Sequence, residues 1–222
     1  MDDMQRRIAD IETRLRESSV GGVDDYVRKL RASVANADNF EDLFFEGQAA
    51  LVLAGNGFGV EMRDSPDLAV QYQGHQFFAE VKHFREKEQD KLDDRRLDEE
   101  AGPTGRSVAC GNIAEGGVAP WQQVRDVLLR KTRQYDEDTP FVIMIMSSSR
   151  NCVEEAQVQT AKNRIDDAVC NGDSELSRLS GVVFWGPEFN IGRWRQTFFY
   201  RTCAPRFPLP DIVADALEEV RR

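Results

Sequence analysis

The sequence predicts an α/β protein: a central mixed β-sheet flanked by helices, preceded by a helical extension at the N-terminus. Three observations carry that expectation. Apolar residues recur at helical spacing through the first 55 residues and again over 120–135, 153–170 and 211–222. Short apolar runs lie between these stretches, above all 141–146, which reads as a buried strand. Two further runs, 67–72 and 75–82, flank Gln73-Gly74, the signal of a hairpin. Strands that alternate with helices beside a hairpin imply parallel and antiparallel pairs in one sheet.

Taken in order, Met4, Ile8, Ile11 and Leu15 repeat at steps of four, three and four, the a/d spacing of a short coiled coil. Two heptads are too few to hold a dimer alone. The stripe is therefore either part of a seam for a second copy or a face packed on the chain's own core. Gly21-Gly22 breaks this helix, and the next one sets Val23, Val27, Leu30 and Val34 on one face. Residues 1–36 form the helical extension and 37–222 the main domain. Asn39 reads as the N-cap of a third helix over 40–54, ended by Gly55-Asn56-Gly57. A strand over 58–62 follows. Gln at the first position of the hairpin turn is a moderate fit to the favoured two-residue turns. Residues 85–118 form a long insertion, charged in its first half and glycine-rich in its second. Pro120 suits a first helical turn, and the helix behind it places Val124, Val127, Leu128 and Lys131 on one face. Strands over 141–146, 181–185 and 197–201, a helix over 153–170, a bend at Pro205, Pro208 and Pro210, and a closing helix over 211–222 complete the chain.

Composition narrows the function classes. At 222 residues, 41% hydrophobic and 9% aromatic, the chain can build a sizeable core, which argues against global disorder. No apolar run approaches the roughly 18 residues of a membrane span. The charged N-terminus lacks the apolar core of a signal peptide, so a cytoplasmic location without membrane contact is expected. Cys110, Cys152, Cys170 and Cys203 form no CxxC pair and sit at no ligand spacing from His75 or His83. That argues against a zinc site and reads as reduced, structural thiols. The net charge of -10 and pI near 4.8 argue against a grip on nucleic acid by overall charge. A nucleic-acid partner then requires local basic patches, a metal ion or a partner subunit. Arg193, Arg195 and Arg201 beside Trp194 and Phe198 form one basic-aromatic cluster, although a packed strand with solvated arginines explains it more simply.

A hairpin centred on Gln73-Gly74 puts Asp67 directly opposite Glu80, with Cβ atoms roughly 4.5–5.5 Å apart on one face. Lys82, two residues on, shares that face. Leu68, Val70, Tyr72, Phe77, Ala79 and Val81 turn the other way, into a core. Carboxylates this close repel unless they share a cation or a proton, and hard oxygen ligands so spaced suit magnesium or manganese. Simpler roles exist: Asp67 after Pro66 as a turn residue, and Glu80 and Lys82 as the solvent face of an edge strand. The apolar flanks Phe77-Phe78-Ala79 and Val81 instead favour a buried strand, where charge needs a reason.

Pro66-Asp67, twelve intervening residues and Glu80-Val81-Lys82 resemble the PD-(D/E)xK motif of restriction-endonuclease-like nucleases. The order helix, strand, hairpin, helix, strand over 40–146 is similar to that family's core and covers about half the chain. The resemblance implies a restriction-endonuclease-like fold and a Mg2+- or Mn2+-dependent nuclease acting on DNA in defence or repair. It further implies that Asp67 and Glu80 bind the metal, with the Val81 carbonyl as third ligand. Glu46, on the first core helix, takes a second metal or holds a water, with Glu41 as the alternate. Lys82 positions the attacking water, and Lys131 and Gln134 on the helix after the hairpin face the site and its substrate. The long insertion after Lys82 departs from the family pattern. Two other readings stay open: an inactive module of this fold that binds a protein partner or regulates it, and an RNA-directed nuclease. A homodimer is expected if both strands of a duplex are to be cut.

Overall fold

The computed structural model describes residues 3–84, 119–147, 155–187 and 194–220. The insertion at 85–118, Arg193, Cys110 and Cys152 lie outside the described residues, as do the side chains of Trp194 and Arg195. The chain is α/β, built on a six-stranded sheet whose spatial order follows the sequence. Its strands are β1 (Gly59–Met62), β2 (Leu68–Tyr72), β3 (His75–Phe84), β4 (Phe141–Ser147), β5 (Leu179–Pro187) and β6 (Trp194–Arg201). The first three form an antiparallel meander, β4 and β5 run parallel to β3, and β6 returns antiparallel. The helices are α1 (Asp3–Glu17), α2 (Val23–Ala32), α3 (Ala37–Gly55), α4 (Pro120–Gln134), α5 (Glu155–Cys170) and α6 (Asp211–Glu218).

Both faces of the sheet are covered, each by its own apolar core. Phe77, Ala79 and Val81 of β3 pack with Leu68, Val70 and residues of α1, α2, α3 and α6. Phe78 and Phe84 of the same strand pack with Ile143, Ile145 and residues of α4 and α5. Alternate side chains of a strand point to opposite faces, so β3 feeds both cores. β4 lies between two strands and under two helical layers, which is why its run of Phe141, Val142, Ile143, Met144, Ile145 and Met146 is buried throughout.

The hairpin has the turn its register demands. Gln73 and Gly74 have φ of 47° and 84°, the pair of positive values of a type I′ turn, whose twist matches the flanking strands. α3 begins earlier than the sequence reading places it. Asn36, with extended backbone, accepts the Asn39 N–H at 3.1 Å, so Asn36 is the cap and Asn39 lies inside the first turn.

The N-terminal stripe is used within the chain. Ile8, Ile11 and Leu15 are 1%, 2% and 0% exposed and join the core under α2 and α3. Arg7 donates twice to Glu41, at 2.5 and 2.9 Å, and fastens α1 to α3. Gly21-Gly22 does more than end a helix. Gly21 N–H donates to the Val60 carbonyl at 2.8 Å, and its own carbonyl accepts the Met62 N–H at 3.0 Å. Gly22 has φ of 72°, and a Cβ there would stand 2.2 Å from the Met62 oxygen. Glycine is required for so close an approach, and it docks α2 beside the end of β1. Cys170 and Cys203 are exposed, with sulfurs 3.1 Å apart; they form a surface pair rather than core thiols. Arg201 is engaged by Asp211 at 2.8 Å and Asp215 at 3.6 Å, inside the chain's own fold.

Because Ile11 is enclosed by its own chain, Ile11→Ala is expected to lower the unfolding free energy by about 2–5 kcal/mol. Urea titration measures this, and light scattering is expected to show an unchanged mass.

Candidate functional site

The pairs Leu68 with Ala79 through Tyr72 with His75 set a register that puts Asp67 opposite Glu80 at the start of β2, as the hairpin symmetry predicts. Here the ladder stops. Alternate residues of a strand direct their amide groups to opposite neighbours. The Phe78 N–H donates toward β4, to the Pro140 carbonyl at 2.9 Å. The Val81 N–H faces the β2 side beyond the first rung, and the Asp67 carboxylate accepts it at 2.8 Å. The Val81 carbonyl shares the edge of its own N–H and so borders the same gap. The Asp67 main-chain carbonyl accepts the Arg63 N–H at 2.8 Å, which closes the turn over 63–67.

Glu80 leaves β3 on the α4 side and is 9% exposed. Its partner is Lys131 of α4, whose ammonium bonds Glu80 Oε1. The helix has reasons to present that lysine. Val124 and Leu128 are buried on its sheet-facing side, and Lys131 is the next residue along that stripe. Tyr135, just past the helix end, stacks on Phe141 with ring centroids 4.1 Å apart and donates to the Thr139 carbonyl at 2.8 Å. The Arg178 guanidinium donates to the Tyr135 carbonyl from the turn just before β5. Gln134 is exposed and lines one cleft with Ser65, Glu80 and Lys131. Lys82 is half-buried on the face of β3 that carries Glu80.

Glu46 approaches from the other layer. It projects from α3 into a second cleft of about 310 Å³, shared with Tyr26, Lys29, Arg63, Asp64 and Ser65. Ser65 lines both clefts, so they meet at the turn that delivers Asp67. Burial pushes the Glu46 carboxyl up to about 9, Asp67 adds to the rise, and Lys29 opposes it. Burial also lifts Asp67 to about 7, helped by Glu80 and countered by the Val81 hydrogen bond, Lys131 and Lys29. Both residues keep some exposed surface, so most but not all of their hydration is lost. The structure thus brings Glu46, Asp67, Glu80 and Lys131 into one electrostatic unit, with Val81 beside it and Gln134 at its mouth.

Other candidates fall elsewhere. Glu41 is held by Arg7 at the α1–α3 contact. His83 points to the face opposite Glu80, where it stacks on Phe45 at 3.8 Å and lies 3.4 Å from Asp42. His75 is exposed at the hairpin turn. Lys29, Arg63 and Asp64 were not singled out by sequence reading. Lys29 pairs with Asp64, and the Arg63 guanidinium sits 4.8 Å over the Phe78 ring. Nothing in spacing connects residue 29 to the hairpin; the Gly21-Gly22 docking does.

Among the described residues, no three or more His, Cys, Asp or Glu side chains converge as a metal-holding group on their own. The donors at the gap are two opposed carboxylates and a backbone carbonyl, all hard oxygens, with a third carboxylate on the far side. That chemistry fits a hard divalent cation. The chain matches no protein-family model, no curated protein and no solved structure.

The raised carboxyls set a pH dependence. The fold keeps protons on Asp67 and Glu46 to about 7 and about 9, above their ordinary values of 3.8 and 4.5. Both groups therefore favour folding at acid pH, and that contribution is lost as pH rises through those folded values. In cation-free buffer Glu46→Gln is expected to stabilise the protein at pH 8 by on the order of 2 kcal/mol, with little effect at pH 5. Urea unfolding of both proteins at the two pH values measures it.

Proposed function

We propose that this chain is a Mg2+- or Mn2+-dependent nuclease that hydrolyses phosphodiester bonds of DNA, with a restriction-endonuclease-like core. The observation that carries this reading is the β2–β3 register, which sets Asp67 opposite Glu80 where the ladder ends. Asp67, Glu80 and the Val81 carbonyl are the proposed cation ligands, and Glu46 supports them from α3. The crowded carboxylates favour the reading, because a divalent cation offsets both the burial and the mutual repulsion that raise Asp67 and Glu46. The architecture favours it too: an antiparallel meander bearing the motif, then α4, then β4 parallel to β3, is the element order the motif implies.

When bound, the cation supplies Lewis-acid neutralisation of the charge that builds on a phosphodiester. The chain's own residues do the rest. Lys82 donates from the Glu80 face of β3 to the attacking water and holds it in line with the scissile bond. The water oxygen bonds to phosphorus as the opposite ester oxygen departs with the bonding electron pair; the water gives up a proton to solvent, and the leaving oxygen takes one from solvent. Lys131 and Gln134, at the mouth of the α4-side cleft, meet the phosphate oxygens. Bulk attraction is not available to a chain of net charge -10, so local groups bear the polyanion. α4 carries Arg125, Arg130, Lys131 and Arg133 against Asp126.

The direct Lys131–Glu80 pair also favours a second reading, a non-catalytic module of the same fold whose buried carboxylate is satisfied internally and whose surface serves a protein partner.

Cleavage of matched DNA and RNA oligonucleotides with Mg2+ or Mn2+ separates the readings. Asp67→Ala and Lys82→Ala are each expected to reduce DNA cleavage by about 10²-fold or more while folding stays cooperative. Undiminished cleavage in both variants overturns the assignment of the site. No cleavage of either nucleic acid by the wild type transfers the weight to the non-catalytic module, and preference for RNA corrects the substrate.

A further inference from the structure

Resting on the cation-dependent reading above, we propose that Lys131 is the site's built-in counter-ion, which holds Glu80 in the cation-free protein and gives it up when a divalent cation binds. The side chains of Lys131 and Glu80 are 28% and 11% exposed, and they bond directly. A carboxylate so buried is strongly destabilising without a partner. Lys131 supplies that partner from α4.

The ammonium and a cation cannot share Glu80 at no cost. Asp67 is fixed at the gap by the Val81 N–H, so a cation held by Asp67 and Glu80 would draw on the very carboxylate that Lys131 holds. Like charges at such separations repel strongly in a partly desolvated setting. Lysine suits an exchange of partners: its charge is compact and its four-carbon stem is flexible. It also has somewhere to go. The cleft that it lines with Ser65, Glu80 and Gln134 opens past the exposed Gln134, and on α4 the neighbouring Arg130 and Arg133 already face solvent. The exchange imposes an order: the cation first, then a phosphate met by the released ammonium.

A static strut predicts something different, and calorimetric titration of Mn2+ into the full chain at pH 8 distinguishes the two. The titration compares wild type with Lys131→Met, which keeps the stem and removes the charge. Lys131→Met is expected to bind Mn2+ about tenfold more tightly than wild type, since the competing charge is gone. It is also expected to melt at lower temperature without cation, with the gap closing in saturating Mn2+. Equal or weaker Mn2+ affinity, or the same melting gap with and without Mn2+, overturns the proposal. If wild type and Lys131→Met bind Mn2+ equally while Asp67→Ala does not bind, this proposal falls and the cation-dependent reading stands. If neither wild type nor Lys131→Met binds, both fall. Lys131→Gln, which keeps a donor for Glu80, makes the same comparison should the Met variant not fold.

Discussion

The arrangement of charge in this protein depends on one missing rung of its sheet. β2 starts too late to pair with Val81, and a backbone N–H inside a sheet is costly to leave without an acceptor. Asp67 supplies the acceptor from its side chain. That single bond holds a carboxylate at the edge of the strand, between the two layers rather than within either. Glu46 feels it from the α3 side, while Glu80 and Lys131 meet it from the α4 side. The hydrogen bond favours the ionised form of Asp67, yet burial and Glu80 outweigh it and the carboxyl ends near 7. A group held so firmly and ionised so reluctantly is the one on which the proposed cation site rests.

Such a cluster weakens the cation-free fold, and the weakness is tolerable because the cores around it are extensive. β3 contributes Phe77, Ala79 and Val81 to one core and Phe78 and Phe84 to the other, so the strand that bears Glu80 and Lys82 is clamped from both sides. The helix that bears Lys131 is clamped as well, through Val124 and Leu128 and through the Tyr135–Phe141 stack. Charged side chains that break the local rule of an apolar interior are thereby held in place by neighbours that obey it.

What could be read from the sequence follows the range of the forces involved. The hairpin register was legible because side-chain period and turn length are both local: a two-residue turn at Gln73-Gly74 fixes Asp67 against Glu80 with no knowledge of the rest of the chain. The buried strand β4 was legible because a strand covered on both faces leaves an unbroken apolar run. The cap of α3 was misassigned between Asn36 and Asn39, since two asparagines three residues apart carry the same local signal. The stripe of α1 was visible, but whether it met a second copy or its own chain depends on tertiary packing that no heptad count contains. The Lys131–Glu80 pair and the Lys29–Asp64 pair lie at the far limit. The first needs the β3–β4 register and the anchoring of α4, the second the docking of Gly21 and Gly22 at Met62. Helical spacing turns Lys131 toward the sheet but does not name Glu80 as its partner, and it says nothing of Lys29.

The acidic balance of the chain is compatible with a polyanionic substrate once charge is resolved by place. Asp25, Glu46 and Asp64 line the α3-side cleft, and Asp136 and Glu137 border the other. Against them stands α4, whose exposed Arg130 and Arg133 flank the lysine that reaches Glu80. Arg133 is partly committed to Glu175 at 3.2 Å and Lys131 to Glu80, while half-buried Lys82 lies on the face of β3 that carries Glu80. On the proposed reading a phosphate backbone is met by the basic residues of α4, whereas the α3-side cleft sets Lys29 and Arg63 against Asp25 and Asp64. On that reading, a polyanion met by few basic residues would bind weakly without a cation at the carboxylate gap, so affinity and cleavage would share one requirement.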